Sequence, residues 1–367
     1  MEKPEELADV TRLSEHVVRI LGQNPGKFTL QGTNTYLIGS QNPYILIDTA
    51  EGLSSYIPVL ASALQSPVNA AQPDVSDIIL SHWHHDHVGG LPTVMALLKQ
   101  LWDARNPGRP YAPPRVHKHP FKEGAVGEHH SPHNQLPKVI EKLDPDHFTP
   151  PSTDSTFHEL FDGQTFTDPA NGAPLLRVLH TPGHTADSIS LYIAQDRALY
   201  TADTVLGHGT AVFEDLATYL ASLHKMLHFG APAHASSDDI DLAYVALYPA
   251  HGAVVTNGRE TISTYIKHRL EREAQILGVL QSSVPGHLAD GGEGAAAQGG
   301  DAVPWTTWTI VRVLYKAYPE NLWLPAARGV DLHLRKLEGE GAVKRLGGEG
   351  VQTKWKPFIS PRSTPSL

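Results

Sequence analysis

Four histidines and an aspartate fall within six positions of this 367-residue chain, in the run Ser81-His82-Trp83-His84-His85-Asp86-His87-Val88-Gly89-Gly90. Imidazole and carboxylate are the donors that zinc, iron and manganese accept. His82 and His84 are two apart, so a locally extended loop can aim both side chains the same way. Asp86 and His87 follow and can face a second point. One short loop can thus begin two metal sites. The plain alternative is an exposed, tag-like histidine tract. Against it, the run is framed by an apolar, β-branched stretch at 75–80 and a glycine-ended turn, with helical spacing over 91–101. The cluster therefore belongs on a strand-to-helix loop, where α/β proteins place their chemistry.

Such a loop needs elements to hold it and further ligands to complete it. Upstream, residues 16–21 read as an edge strand, and 28–39 and 44–50 as neighbouring strands of a sheet. Asp48 ends an apolar strand, either orienting the histidine loop through a ring nitrogen or capping the strand. Residues 54–64 read as a helix. Downstream, a strand at 175–179 runs into His180-Thr181-Pro182-Gly183-His184. Strands at 188–193 and 197–201 pair around Gln195-Asp196, and the second ends at Asp203. A helix spans 214–227, a polar insertion 231–241, and a strand 242–248 ends in Pro249-Ala250-His251-Gly252. His184, Asp203 and His251 each follow an apolar strand with a tight turn nearby, so all are expected at one edge of the sheets.

Residues 103–160 break this pattern. Proline, glycine, histidine and lysine dominate with no sustained period, which reads as an elaborated loop insertion with short elements. The proline-interrupted group His129, His130 and His133 suits a surface or a substrate lid better than a metal site. Asp162-Gly163, between apolar runs, is a hairpin signal.

Composition narrows the classes. Forty per cent hydrophobic and 19% charged residues are those of a globular protein. No stretch approaches the ~18 apolar residues of a membrane span, and no signal segment is visible near the N-terminus, so a cytoplasmic protein is expected. The chain has no cysteine, which rules out disulfides, thiolate-held zinc and a cysteine nucleophile. A net charge of −10 disfavours a general polyanion binder.

With these motifs in place, the chain resembles the metallo-β-lactamase-fold hydrolases over residues 13–283, and their glyoxalase-II-like branch in having Asp86 where true β-lactamases have cysteine. The resemblance implies an α/β fold, an αββα sandwich with metals at one edge. It implies His82, His84 and His184 as ligands of a first metal, Asp86, His87 and His251 of a second, and Asp203 as a bridge. It implies two zinc ions about 3.5–4 Å apart, with manganese or iron as alternatives. Such a pair lowers the pKa of water toward neutrality and takes up developing oxyanion charge. Asp86 would also accept or relay the proton. Gly32-Thr33-Asn34-Thr35-Tyr36, Leu46-Ile47-Asp48-Thr49 and Gly207-His208-Gly209-Thr210-Ala211-Val212-Phe213 resemble one subfamily. It contains β-lactamase-like endoribonucleases and the thioesterases of fungal non-reducing polyketide synthases. The expected activity is release of a polyketide from a partner synthase's acyl-carrier protein, the alternative being cleavage of single-stranded RNA. His208 either lines the substrate pocket or is a structural turn residue.

After a Gly/Ala-rich linker at 284–303, residues 304–367 read as a second unit. Helices at 307–318 and 324–337 and a hairpin over 343–346 and 354–356 resemble the subfamily's winged-helix tail. Ten Lys/Arg against five Asp/Glu make it basic. That suits contact with RNA or an acidic carrier protein, or simply a solvated basic face.

Overall fold

A computed structural model of the chain describes residues 4–65, 69–121, 134–168, 172–230, 243–288 and 303–358. Two sheets lie face to face. The first has the order β1 (Val10–Arg12), β2 (Val17–Leu21), β3 (Asn34–Ile38), β4 (Tyr44–Ile47), β5 (Val75–Leu80), β6 (Arg115–Lys118), β7 (His158–Glu159). Its strands are antiparallel up to β4 and parallel from β4 onward. The second runs β12 (Ala246–Pro249), β11 (Ala198–Ala202), β10 (Ile189–Ile193), β9 (Pro174–His180), β8 (Thr165–Thr167), and only the β11–β12 pair is parallel.

The strands are near-continuous apolar runs because both faces are covered. Alternate residues serve two cores. Val18, Ile20, Leu37, Leu46, Ile78 and Leu80 face outward, against Tyr56 and Leu60 of α1 (Tyr56–Leu64). The histidine-bearing turn α2 (His85–Val88) leads into α3 (Leu91–Arg105), whose Val94 and Leu98 join the same core. Val17, Tyr36, Ile38, Ile45, Ile47 and Ile79 face inward, against Val178, Ile189, Leu191 and Tyr200 of the second sheet. A short helix, α4 (Leu136–Ile140), adds Leu136 and Val139 to the outer core. On the far side α5 (Leu216–His228) covers the second sheet, its Met226 sulfur 3.9 Å from Ser190 Oγ on β10. Each buried Leu or Ile adds about 1.5–3 kcal/mol. This is the αββα layering expected.

Three expectations change in detail. Val17–Leu21 forms β2, which is buried along its whole length and is not the sheet's edge, because β1 pairs with its outer side. The 103–160 insertion contains β6 and β7, which extend the first sheet in parallel. Arg-Val-His-Lys at β6 is too short and polar to show a period. Asp162-Gly163 does not join a hairpin: β7 before it pairs with β6, and β8 after it pairs with β9. The chain crosses from one sheet to the other there. The groups at 129–133 and 231–241 lie outside the described residues. Among the described residues no helix is long and apolar enough to cross a membrane.

The chain forms two compact units, Met1–Tyr265 and Ile266–Leu367. The division falls inside α6 (Gly258–Leu280), earlier than the 284–303 linker, because Ile276 and Leu280 pack with the second unit's core. That unit carries α7 (Thr307–Leu314), α8 (Trp323–Gly339) and a sheet of order β13 (Trp305–Thr306), β15 (Lys354–Pro357), β14 (Val343–Gly347). Thr306 and Thr309 cap α7 reciprocally, at 3.0 and 2.9 Å.

Candidate metal centre

Strand ends carry the site. Ser81 and His82 follow β5, His184 lies four residues beyond β9, Asp203 follows β11, and His251 lies two beyond β12. The backbone is bent hard at these points. Asp48 (φ 58°), Ala50 (φ 58°) and Ala202 (φ 45°) occupy the left-handed region without being glycine, at a cost of about 1–3 kcal/mol each. Glycine is required where turns meet: a Cβ on Gly90 would come 1.9 Å from Thr49 O, and one on Gly183 2.3 Å from Tyr219 Cα.

These turns gather all seven expected residues. His82, His84, His184 and Asp203 form one donor group, and Asp86, His87 and His251 a second. His85, within the same run, is exposed and in neither. In the first group His82 Nε2, His84 Nδ1 and His184 Nε2 stand 3.0–3.2 Å from one another. Ligands about 2.0–2.1 Å from a tetrahedral zinc stand about 3.3 Å apart. In the second, Asp86 Oδ2 lies 3.3 Å from His87 Nε2 and 3.2 Å from His251 Nε2. Asp203 faces both, with Oδ1 3.4 Å from His87 and 3.3 Å from His251, and Oδ2 3.6 Å from His184.

The outer ring nitrogens are anchored, which fixes what the inner ones offer. His184 Nδ1 donates to Val212 O at 2.8 Å. His87 Nδ1 donates to Asp48 Oδ2 at 2.8 Å. Ser81 Oγ donates to the same oxygen at 2.8 Å and stands 3.0 Å from His82 Nδ1, whose proton it accepts. The Nε2 atoms of His82, His87 and His184 are therefore left to take a cation or a proton. His87 Nε2 and Asp203 Oδ1 are buried and make no hydrogen bond, although 3.4 Å apart. Inward lone pairs crowded this closely, with two carboxylates among them, fit a divalent metal.

Electrostatics agree. Burial opposes charge on His82, His84, His87, His251, Asp86 and Asp203. It drives His84, with His184 beside it, down to about 3, and His82, with His87 beside it, well below its ordinary range. At His87 burial is outweighed by Asp86, Asp203 and Asp48, which hold the ring well above the histidine range, and at His251 by Asp203 and Asp86, which raise it to about 9. Burial would raise Asp86 and Asp203; His87 and His251 hold both well below the carboxylate range. In the metal-free chain, protons on His87 and His251 thus stand in for a cation.

The sign of the pH dependence follows. Stability from the raised histidines is complete below their unfolded value of about 6.5 and is lost as pH rises through about 9 for His251. Stability from the depressed carboxylates is present above about 3.8 and is lost as pH falls through their folded values. His82 and His84, kept neutral by burial, cost stability as pH falls below about 6.5, where their unfolded forms take up protons. Metal-free protein is therefore expected to melt highest near about pH 6.5 and lower at about pH 4 and about pH 9, with the gain from added metal growing between about pH 6.5 and 9. Melting curves with chelator or with zinc from pH 4 to 9 check this; a flat chelated profile from pH 6 to 9 would contradict it.

Of the two sequence readings of Asp48 the structure favours the orienting one, while the groups that fix its carboxylate, and several other supports, escaped the sequence reading. Tyr200 OH donates to Asp48 Oδ2 at 2.5 Å, and Ser81 N to Oδ1 at 2.7 Å, so the Asp48 carboxylate orients the loop. Asn24 holds Thr33 through both amide atoms, and Thr33 Oγ1 donates to Asp86 at 3.4 Å. Asn34 Nδ2 donates to Pro249 O and Gly252 O, strapping the His251 turn. Buried Lys118, at the end of β6, is ion-paired with buried Asp187, which also accepts from Thr185 Oγ1, next to His184. His208 is half-buried on a turn packed against the His251 turn, Gly207 N donating to His251 O at 2.8 Å.

The Metallo-beta-lactamase superfamily matches residues 28–251, and the Beta-lactamase associated winged helix domain matches 306–355. A Beta-lactamase-like protein 2 homolog of Drosophila melanogaster is 37% identical over 336 residues, 91% of this chain and 92% of the relative. An atrochrysone carboxyl ACP thioesterase of Aspergillus novofumigatus is 32% identical over 277 residues, 76% and 66% of the two chains. The fold matches a metallo-beta-lactamase family protein of Thermus thermophilus, with a TM-score of 0.57 at 20% identity, over 94% of this chain and 100% of that one. The layered fold, the convergent donors at its edge and these matches lead to one conclusion: the chain belongs to the metallo-β-lactamase superfamily and is a hydrolase of that fold with the associated winged-helix domain.

Proposed function

We propose that this hydrolase is a dinuclear zinc thioesterase releasing a polyketide from the acyl-carrier protein of a non-reducing polyketide synthase. The observation that carries the dinuclear reading is Asp203, whose two oxygens face different donor groups. His82, His84 and His184 would hold one ion and Asp86, His87 and His251 the other. When bound, the pair lowers the pKa of water and draws off developing negative charge.

The chain's own groups do the rest. Asp86 is ionised at neutral pH and only partly buried, so it can accept the proton that water gives up. Asn24 and Thr33 keep its carboxylate in place. His208 is proposed to line the acyl pocket. Thioester chemistry suits this inventory, because a thiolate leaves without a strong general acid. Lys118, on the strand beside β5, is consumed by Asp187 and cannot clamp a phosphate. Similarity to the Aspergillus thioesterase supports the same substrate class.

Zinc-loaded protein is expected to hydrolyse an acyl-carrier thioester, and Asp86→Ala to lose roughly 10³-fold of that rate while retaining about one ion per chain. Single-stranded RNA, the alternative substrate, is assayed in parallel. RNA cleavage that the mutation abolishes, with the thioester untouched by either protein, would reverse the assignment.

A further inference from the structure

The β14–β15 ribbon of the second unit carries charge that the fold does not use. Val343 and Trp355 turn inward to the core, so their neighbours face solvent. Lys344 is paired directly with Lys356, and Lys354 lies two residues before Lys356 on the same face. All three are exposed. Directly opposed residues of an antiparallel pair have Cβ atoms about 4.5–5.5 Å apart, and like charges there destabilise the ribbon. Among the described residues none of the three has a carboxylate partner. Two apolar side chains, Leu346 and Phe358, continue the solvent face and are 45% and 53% exposed. Residues 304–367 carry a net +5 within a chain of −10, leaving −15 on the rest. An acidic partner is therefore drawn to this ribbon and repelled elsewhere.

We propose that this face docks an acidic helix of the acyl-carrier protein, an inference that rests on the thioesterase reading. Its shape and chemistry favour a protein helix over nucleic acid. On α8, Arg335 is paired with Asp331 at 2.6 Å, and Lys336 with Glu273 and Glu340 at 2.9 and 2.8 Å, so these helix cations are already neutralised. The unpaired lysines form a strip two strands wide. Over residues 354–358 it is about 13 Å long, close to the ~10–12 Å diameter of one helix. Carboxylates at i and i+4 on such a helix reach the lysines while its apolar residues meet Leu346 and Phe358. A phosphate backbone would leave those two side chains unused.

The test uses the full-length chain and a fluorescently labelled acyl-carrier domain of a fungal non-reducing polyketide synthase. Lys344→Glu with Lys356→Glu is expected to raise the Kd about tenfold or more, and to remove most of the weakening that salt causes in the wild type. Exchanging the carrier helix's glutamates for lysine is expected to restore binding to the reversed ribbon and not to the wild type. Lys138→Glu with Lys142→Glu, two exposed lysines on α4 and just beyond it, matches the change in net charge, and melting curves verify folding. Hydrolysis is measured beside binding, on carrier-linked and on N-acetylcysteamine thioesters. The docking proposal predicts that the ratio of the two kcat/KM values falls about tenfold in the reversed ribbon. Carrier affinity unmoved by the reversal overturns the docking face, whatever the hydrolysis result. Carrier affinity that falls as expected, with neither thioester hydrolysed, overturns the thioesterase reading and leaves the face standing. Single-stranded RNA displaced by the reversal, with the carrier unaffected, assigns the ribbon to nucleic acid and overturns the proposal.

Discussion

With the proposed pair of ions bound, Asp203→Asn is expected to reduce hydrolysis on the order of 10³-fold and to lower the metal content from the two ions per chain of that proposal to one or fewer. Asparagine keeps the size and hydrogen-bonding outline of the side chain. It offers only one acceptor atom, so whichever donor group faces the amide nitrogen meets an N–H where a lone pair stood. Oδ1 faces His87 and His251 while Oδ2 faces His184, and neither group can be served without exposing the other. Loss of charge acts in the same direction. Asp203 is the foremost influence raising His251 against its burial. With a neutral amide, the two histidines lose much of their pull on a proton in the metal-free chain, and metal binding releases fewer protons. Metal analysis and titration calorimetry in buffers of different ionisation enthalpy read both effects. Two ions bound with near-native turnover would remove Asp203 from the shared position.

The donor residues were legible because each carries its chemistry in its type and its place in the local pattern. An apolar run followed by a turn puts the next polar residue at a sheet edge, and His82, His184, Asp203 and His251 all obey that rule. What the pattern lacks is information about which sheet a strand joins. The Asp162-Gly163 turn has the same local chemistry whether the chain doubles back or crosses between sheets, and here it crosses. The polar strand β6 is held by its neighbours rather than by its own periodicity, so it was hidden inside an apparent loop.

Long-range supports were hidden for a different reason. Lys118 and Asp187 are 69 residues apart, and Tyr200 and Asp48 are 152 apart. Neither pair leaves a trace in spacing. A lysine at a strand end reads as a solvated charge, and a tyrosine within an apolar strand reads as core. Only the closing of one sheet on the other makes the first a buried ion pair and the second a donor to the carboxylate behind the clustered histidines. The division of α6 between two units is hidden likewise, since one unbroken helical pattern runs through it.

The buried carboxylate at 48 is where fold and site depend on one another most. Asp48→Ala is expected to destabilise the protein by about 3–5 kcal/mol and to weaken metal binding at the Asp86–His87–His251 group by roughly 10–100-fold. Four donors converge on this carboxylate: Ser81 N, Ser81 Oγ, His87 Nδ1 and Tyr200 OH. Asp48 is fully buried, so alanine leaves those donors without water to replace it. The second consequence is specific to the site. With its outer nitrogen unanchored, the His87 ring is free to turn or to carry its proton on the inner nitrogen, where the metal must bind. Tyr200→Phe separates the two effects, because it removes one donor and leaves the His87 anchor intact. It should cost only about 1 kcal/mol with metal affinity retained. Denaturant melts and zinc titrations on both variants measure this. Equal losses of zinc affinity in Asp48→Ala and Tyr200→Phe would mean that Asp48 acts through the fold alone, rather than by holding the His87 ring to the metal.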